Sequence, residues 1–563
     1  MSEFTQRDDT ANAVIGSDAP ARTSLRIHPR DNVGVALTDL PAGREVTLDG
    51  DTVRLADNVR AKHKFALVDL AENAIVTMYG VTVGRATRPI VRGGAITTEN
   101  LAHATGNDQA VPGTKGWTPP DTSRFQGTTF DGFHRPDGRV GTTNVWLVIP
   151  LVFCENRNIE VLRQCVADAL GDDPYRDYKR MARRMLDDTR DDSPDSTAAD
   201  AIDAGAPGRF PNVDGVRFLT HTLGCGGTDD DAEALCQLLA GYVCHPNVAG
   251  ATVLSLGCQK AQIRMLKAAV AERDPQGLKT VDYFDQQSSA SEDALIRDAL
   301  RSIFDGLAAA DRVTRQPAPL SKLTLGVECG GSDGFSGISA NPLVGAVVDR
   351  LVALGGSGIL SEFPELCGVE HELIARCVDV PTAERFSQLI AAYQRHAAAV
   401  GADFAMNPSP GNIRDGLITD AMKSAGAAKK GGDSPVVDVL DYTEPHRRAG
   451  LSLLCSPGND VESTTALAGS GANLIVFTTG LGTPTGNPVA PVLKIASNSE
   501  MARRMRDIID FDAGPIVRGE RDIGELADAL LTLCIEVASG RHPSHAQRLS
   551  QHDFIPWKRG VSL

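Results

Sequence analysis

Large aromatic rings are scarce in this chain: Phe, Tyr and Trp make up only 5% of its 563 residues. Basic charge is also short. Lys and Arg number 56 against 72 Asp and Glu, giving a formal net charge of −16. A general nucleic-acid binder needs a basic face, so that class of partner is excluded. No apolar run approaches the ~20 residues that cross a bilayer, so no membrane partner is expected. The first residues, MSEFTQRDDTANAVIGSDAP, lack the basic-then-apolar pattern of a secretory leader, and a cytoplasmic protein is expected. The 11 cysteines lack the spacing of a small disulfide scaffold, so free thiols are expected. No Gly-x-Gly-x-x-Gly follows the first strand, and there is no Walker sequence, His-Glu-x-x-His or Cys-x-x-Cys.

What is present is the balance of an ordinary globular protein, 42% hydrophobic and 23% charged, with 55 glycines. Residues 1–22 read as a disordered tail. Residues 23–102 hold short strand-like runs (SLRIHP, NVGVALTDL, HKFALVDL, AIVTMYG, VTVGRA) without a long helical pattern, the mark of a small all-β module. Residues 103–130 are rich in Pro, Gly and Thr and read as a linker, which predicts a module able to fold separately. From about residue 140, apolar runs alternate with helical patterns (VWLVIPLVF, VRFLTHTLGC, ATVLSLGC, LTLGVECGGSD, GILSEFPEL, VVDVLDY, ANLIVFTTG). That texture predicts a mainly parallel α/β region covered on both faces, divided as 131–320 and 321–563. The acidic run DDTRDDSPD reads as a solvated insertion.

In open α/β sheets, ligands bind beyond the carboxyl ends of the strands. Here those ends carry His221 and Cys225; Cys258 and Gln259; Glu328, Cys329, Ser332, Asp333, Ser336 and Asn341; Ser361, Glu362 and Glu365; and Thr478, Thr479 and Thr483. Asn412 lies in NPSPGN, between the last two groups. Each piece alone has an ordinary explanation: a small buried thiol, a turn glycine, a helix cap. Their joint occurrence at five strand ends points to one site.

On these residues the chain resembles the altronate and galactarate dehydratase family. The motifs that carry the likeness are IHPRDNVGVAL, HKFALVDLA, RPDGRVGTTN, HTLGC, ECGGSDGFSGISANP, SEFPELCGVE, NPSPGN, SPGND and FTTGLGTPTG, with IDFDAG and GVSL near the end. The resemblance spans residues 24–563 and implies a SAF-type β domain followed by α/β catalytic domains. It implies a hydro-lyase that dehydrates a small sugar acid, with an aldonate such as D-altronate as the first expectation. It also implies a divalent metal, iron(II) or manganese(II). Loss of the C2 proton places charge on the neighbouring carboxylate, and a cation spreads that charge.

For that reaction the strand-end residues His221, Cys225, Asp333 and Glu362 are the catalytic candidates. Ser332, Ser336, Asn341, Asn412, Lys423, Thr478, Thr479 and Thr483 are substrate-binding candidates, with Lys430 and Lys494 as further lysines for the substrate carboxylate. His28 and His63 of the β module are metal candidates. Four positions depart from the family pattern: Lys62 in place of Gly, Thr143 and Leu481 in place of basic residues, and Gln259 in place of Glu. They leave open a sister aldonate or aldarate, and a sugar-acid-binding relative without turnover. Cys225, Cys258 and Cys329 leave open an iron–sulfur cluster. A homo-oligomer is compatible with all of these.

Overall fold

The computed structural model describes residues 22–106, 110–171, 175–186 and 209–562. The expected tail up to residue 21 and the acidic run DDTRDDSPD lie outside the described residues. The N-terminal part is a β module of short antiparallel strands. Ser24–Leu25, Val33–Ala36, Lys64–Ala66 and Ala95–Ile96 form one sheet. Glu45–Leu48 with Asp51–Arg54 forms a hairpin, and Ile75–Met78, Val81–Ala86 and Leu101–Ala102 form a third sheet. Two-residue turns with positive φ at both positions close the hairpins at Asp49-Gly50 and Tyr79-Gly80, the backbone twist that suits paired strands.

The module does not stand apart from the rest. Val33, Val35, Met78, Val81 and Val83 share one continuous core with Leu325, Val327, Met422 and Ala425 of the C-terminal part. Thr419 Oγ1 donates to the Val83 carbonyl at 2.6 Å, and the fully buried Lys64 ammonium donates to the Gly416 carbonyl at 2.6 Å. The module is thus packed against the body rather than set apart by the linker. Composition identified the Pro/Gly-rich stretch but could not show the apolar faces on either side of it meeting.

The middle part carries a four-stranded parallel sheet in the order Val216–Phe218, Val145–Pro150, Val248–Ser255, Thr280–Asp285. Its two ends are tied together, because Thr129–His134 pairs antiparallel with Gln316–Pro319. The expected boundary at 130/131 thus falls inside a strand. The C-terminal part is a seven-stranded, fully parallel sheet in the order Val436–Leu440, Leu451–Leu454, Ser357–Leu360, Thr324–Cys329, Leu474–Thr479, Val492–Ala496, Phe511–Asp512. The inner strands are buried along their length, which explains their unbroken apolar sequence. The helices Asp229–Val243 and Asp460–Gly469 join the two sheets through a second shared core. They meet so closely at Gly241 that a Cβ there would overlap the Gly469 carbonyl.

Strand order locates the crevice. From Thr324–Cys329 the chain first builds to one side, then returns to build the other side from Leu474–Thr479. The winding reverses beside Cys329, and such reversals are where doubly wound sheets bind ligands.

Candidate active site

At that reversal the strand Thr324–Cys329 ends in two buried ionisable groups, Glu328 and Cys329. The neighbouring strand Ser357–Leu360 runs into Ser361 and Glu362. Glu362 adopts φ 67°, a left-handed backbone that non-glycine residues rarely take. The short 3-10 turn that follows, Phe363–Leu366, brings in Glu365. Helix Asp420–Ala427 supplies Lys423, and the turn Ala428–Gly431 supplies Lys430. Helix Asp460–Gly469 begins with Asp460 and presents Ser463 one turn later.

These side chains form one buried network. Lys430 Nζ donates to Cys329 Sγ at 2.7 Å and to Glu362 Oε2 at 2.6 Å. Cys329 Sγ donates to Glu365 Oε2 at 3.2 Å, and Lys423 Nζ pairs with Glu365 Oε1 at 2.6 Å. Lys423 also donates to Asn407 Oδ1 at 2.7 Å. Glu328 Oε2 accepts from Ser361 Oγ at 3.0 Å and from the Ser463 hydroxyl. Two buried carboxylate oxygens, Glu328 Oε1 and Glu362 Oε1, have no hydrogen-bond partner outside the Glu328–Glu362 carboxyl pair itself.

Burial and charge set the protonation states. Burial pushes Glu328 well above the usual carboxylate range, and the neighbouring Glu362 adds to this. Burial and then Glu365 raise Glu362. Burial opposes ionisation of Glu365, but the ammonium groups of Lys423 and Lys430 hold its carboxyl below the usual value. Burial opposes the charge on Lys430, yet Cys329, Glu362 and Glu365 hold it well above an ordinary lysine. Burial, Glu362 and Glu365 raise Asp460 to about 7, so this carboxyl gains and loses a proton near neutrality. It sits against Gly330, where a Cβ would overlap its carboxylate. That close approach explains one glycine of the ECGGSD turn.

The residues singled out in the sequence separate into several groups. Glu362 and Lys423 lie in the network. Asp333 lies nearby but is saturated: Oδ1 accepts from Ser336 Oγ at 2.9 Å and Ser497 Oγ at 2.8 Å, while Oδ2 meets Lys62 Nζ at 2.9 Å. It clamps the module to the body, with no free oxygen for proton transfer. Lys62 holds φ 74° to make this pair, where a glycine would be relaxed, and also reaches Asp415 at 3.4 Å. Several substrate-binding candidates brace the scaffold instead. Asn341 Nδ2 donates to the Gly426 carbonyl, and its Oδ1 accepts from Thr478 Oγ1 at 2.6 Å. Asn412 Nδ2 donates to the Ser332 carbonyl at 2.8 Å, while Thr479 Oγ1 accepts from the Gly482 and Thr483 amides. The Ser332 hydroxyl is buried and has no partner. Leu481 and Thr483 line the outer side of Gly331.

His221 belongs to the other sheet. Its Nε2 faces the Pro150 carbonyl at 2.9 Å and its Nδ1 accepts from the Leu223 amide at 3.2 Å, so backbone uses both nitrogens and burial lowers its pKa. Cys225 and Cys258 are exposed whereas Cys329 is buried, and the three thiols do not gather as a cluster would require. His28 accepts from the Arg30 amide, and His63 contacts the Ala61 carbonyl. Among the described residues, neither histidine is in a group of three possible metal donors. Cys329, Glu362 and Glu365 do form such a group, with their donor atoms within 4.8 Å of one another. Thr143 and Gln259 are buried loop braces, and Lys494 bonds the Gln551 side chain. Sequence reasoning passed over Asp460, although the SPGND motif contained it. Nothing in the sequence shows that its helix starts against Gly330.

Comparison with known proteins agrees with the three-part architecture. The family described as "Altronate/galactarate dehydratase SAF domain" matches residues 22–104. "D-galactarate dehydratase/Altronate hydrolase, second domain" matches 132–311, and "D-galactarate/Altronate dehydratase, C-terminal" matches 320–562. The chain is 34% identical to the altronate dehydratase of Escherichia coli (strain K12), over 96% of this chain and 99% of that protein. It is 33% identical to the altronate dehydratase of Bacillus subtilis (strain 168), over 96% of this chain and 100% of that one. Identity to the L-threo-forming galactarate dehydratase of Escherichia coli (strain K12) is 29%, over 97% of this chain and 98% of that one.

Proposed function

The chain belongs to the altronate/galactarate dehydratase family of sugar-acid hydro-lyases, and from that premise we propose that it converts D-altronate to 2-dehydro-3-deoxy-D-gluconate and water. The observation that carries the site assignment is the buried network of Lys423, Lys430, Cys329, Glu362 and Glu365 at the sheet reversal, with the half-buried Asp460 beside it under the influence of both glutamates. β-Elimination removes a proton from C2 and returns one to the departing C3 hydroxyl. A carboxyl that titrates at about 7 serves both halves. Ionised Asp460 accepts the C2 proton, and protonated Asp460 delivers it to the hydroxyl, which leaves as water. The two fixed ammonium groups hold the substrate carboxylate and spread the charge that grows on it.

The donor set also fits the divalent metal. Cys329, Glu362 and Glu365 would hold it, and the unpartnered Glu362 Oε1 supports this reading. The bound metal supplies Lewis-acid stabilisation of the carboxylate. Lys430 shares the same thiol and carboxylate, so it keeps those donors in place.

Leu481 places an apolar side chain beside Gly331; if an arginine at this loop position pairs bidentately with the far carboxylate of the substrate, the leucine favours an aldonate over a dicarboxylic aldarate. The identities to the two kinds of relative, 34% and 29%, run the same way. A panel of aldonates and aldarates, assayed anaerobically with iron(II) or manganese(II) for 2-keto acid, tests the proposal. D-Altronate is expected to be turned over and galactarate to be a poor substrate. Chelation is expected to abolish activity and either metal to restore it. Full turnover by metal-free protein contradicts the metal role, and no turnover of any panel member contradicts the dehydratase assignment.

A further inference from the structure

A second group of metal-type donors lies outside the network described above. His103, Cys367 and Asp420 place a ring nitrogen, a thiol and a carboxylate oxygen all within 4.8 Å of one another. They come from three separate parts of the fold. His103 directly follows Leu101–Ala102, the last strand of the β module. Cys367 ends the turn that carries Glu365, and Asp420 opens the helix that carries Lys423. The segment after His103 is seated on the body, since a Cβ at Gly368 would press on the Thr105 methyl.

Asp420 is the independent observation. It is 1% exposed, and apart from the Cys367 thiol beside it neither of its carboxylate oxygens has a hydrogen-bond partner. A buried carboxylate left so is costly unless a cation or a proton satisfies it. Asp403 acts electrostatically on both His103 and Cys367, and Glu370 acts on both Cys367 and Asp420. Lys423 is the opposing cation, and it is already engaged by Glu365. The surroundings thus favour an added positive charge.

We infer that His103, Cys367 and Asp420 form a second divalent-cation site, suited to zinc, that staples the exit of the β module to the catalytic half. One imidazole, one thiolate and one carboxylate are the donor types zinc takes with a fourth position open. His103 is exposed, so the group is reached from solvent on its side. Binding displaces the thiol proton and the proton that burial keeps on the Asp420 carboxyl, so affinity falls as pH falls.

Cobalt(II) is the probe for the chelator-stripped full-length chain, because a thiolate ligand gives a charge-transfer absorption. Titration with zinc(II) alone, followed as metal content and melting temperature, provides the second readout. Cys367→Ala is expected to remove a share of the cobalt band that Cys329→Ala leaves in place. His103→Ala is expected to weaken that share at least tenfold and to abolish the zinc-induced rise in melting temperature. His103 is exposed, so its variant keeps the test decisive even where Cys367→Ala does not fold. A band untouched by both Cys367→Ala and His103→Ala, or one lost entirely with Cys329→Ala, overturns the site. The outcome does not depend on which sugar acid is turned over.

Discussion

The two parallel sheets of this protein end in similar-looking polar motifs but in different chemistry. In the four-stranded sheet the strand ends carry His221, Cys225, Cys258 and Gln259. In the seven-stranded sheet they carry Glu328, Cys329, Glu362 and Thr478. His221 spends both nitrogens on backbone, Gln259 braces its own loop, and the thiols face solvent. In the seven-stranded sheet, lysines from two later elements arrive beside the buried acids and leave carboxylate oxygens unpartnered. Polar residues at a strand end therefore mark a crevice only where opposite charges are buried together. Proteins keep such costly groups where they do work, because burying them requires compensation.

The largest effect expected from breaking this asymmetry is at Lys430. Lys430→Met leaves Glu362 and Cys329 without their shared cation. Removing one partner of a buried pair costs about 3–5 kcal/mol, so the urea midpoint should fall clearly and turnover should vanish. A smaller effect is expected at Leu481. Leu481→Arg should shift the ratio of kcat/KM toward galactarate by about ten- to a hundredfold, the worth of one charge-assisted contact. An unchanged ratio removes this residue from the specificity argument.

A pH effect follows in size. Burial raises the Asp420 carboxyl to about 8. Between the ordinary carboxylate range and about 8, the folded metal-free chain holds a proton that the unfolded chain has released. Its contribution to stability is present at low pH and lost as pH rises toward 8. Melting of chelated wild type should therefore fall more steeply with rising pH than that of Asp420→Asn, and parallel curves would contradict this. The smallest effects are expected in the other sheet. Cys225→Ala and Cys258→Ala should leave kcat within about twofold. His221→Gln should lower stability but spare kcat, and a collapse of kcat in any of the three would move the site to the four-stranded sheet.

Much of this architecture was legible beforehand. Continuous apolar runs such as LIVFTT could only be buried parallel strands, and ECGGSD and SEFPE lay at their ends as polarity placed them. The position of Glu362 at a strand end was legible for the same reason, whereas the pairing of Lys423 with Glu365 was not. The contacts that Asn341, Asn412 and Asp333 make were not, because their bracing partners outside the local turn lie at least 80 residues away in the chain. Asp460 was missed because its pKa comes from Glu362 and Glu365, which reach it only through sheet order. The docking of the β module depends likewise on two apolar faces that no local pattern connects.

The most direct test of the central claim is the rate of 2-keto acid formation from D-altronate by wild type and Asp460→Asn across pH. General acid–base groups contribute about 10²–10⁴-fold, so Asp460→Asn should lose that much kcat with KM little changed. The wild-type rate should fall at low pH, where Asp460 becomes protonated. An Asp460→Asn enzyme that keeps the wild-type rate and the same pH limb would contradict the account.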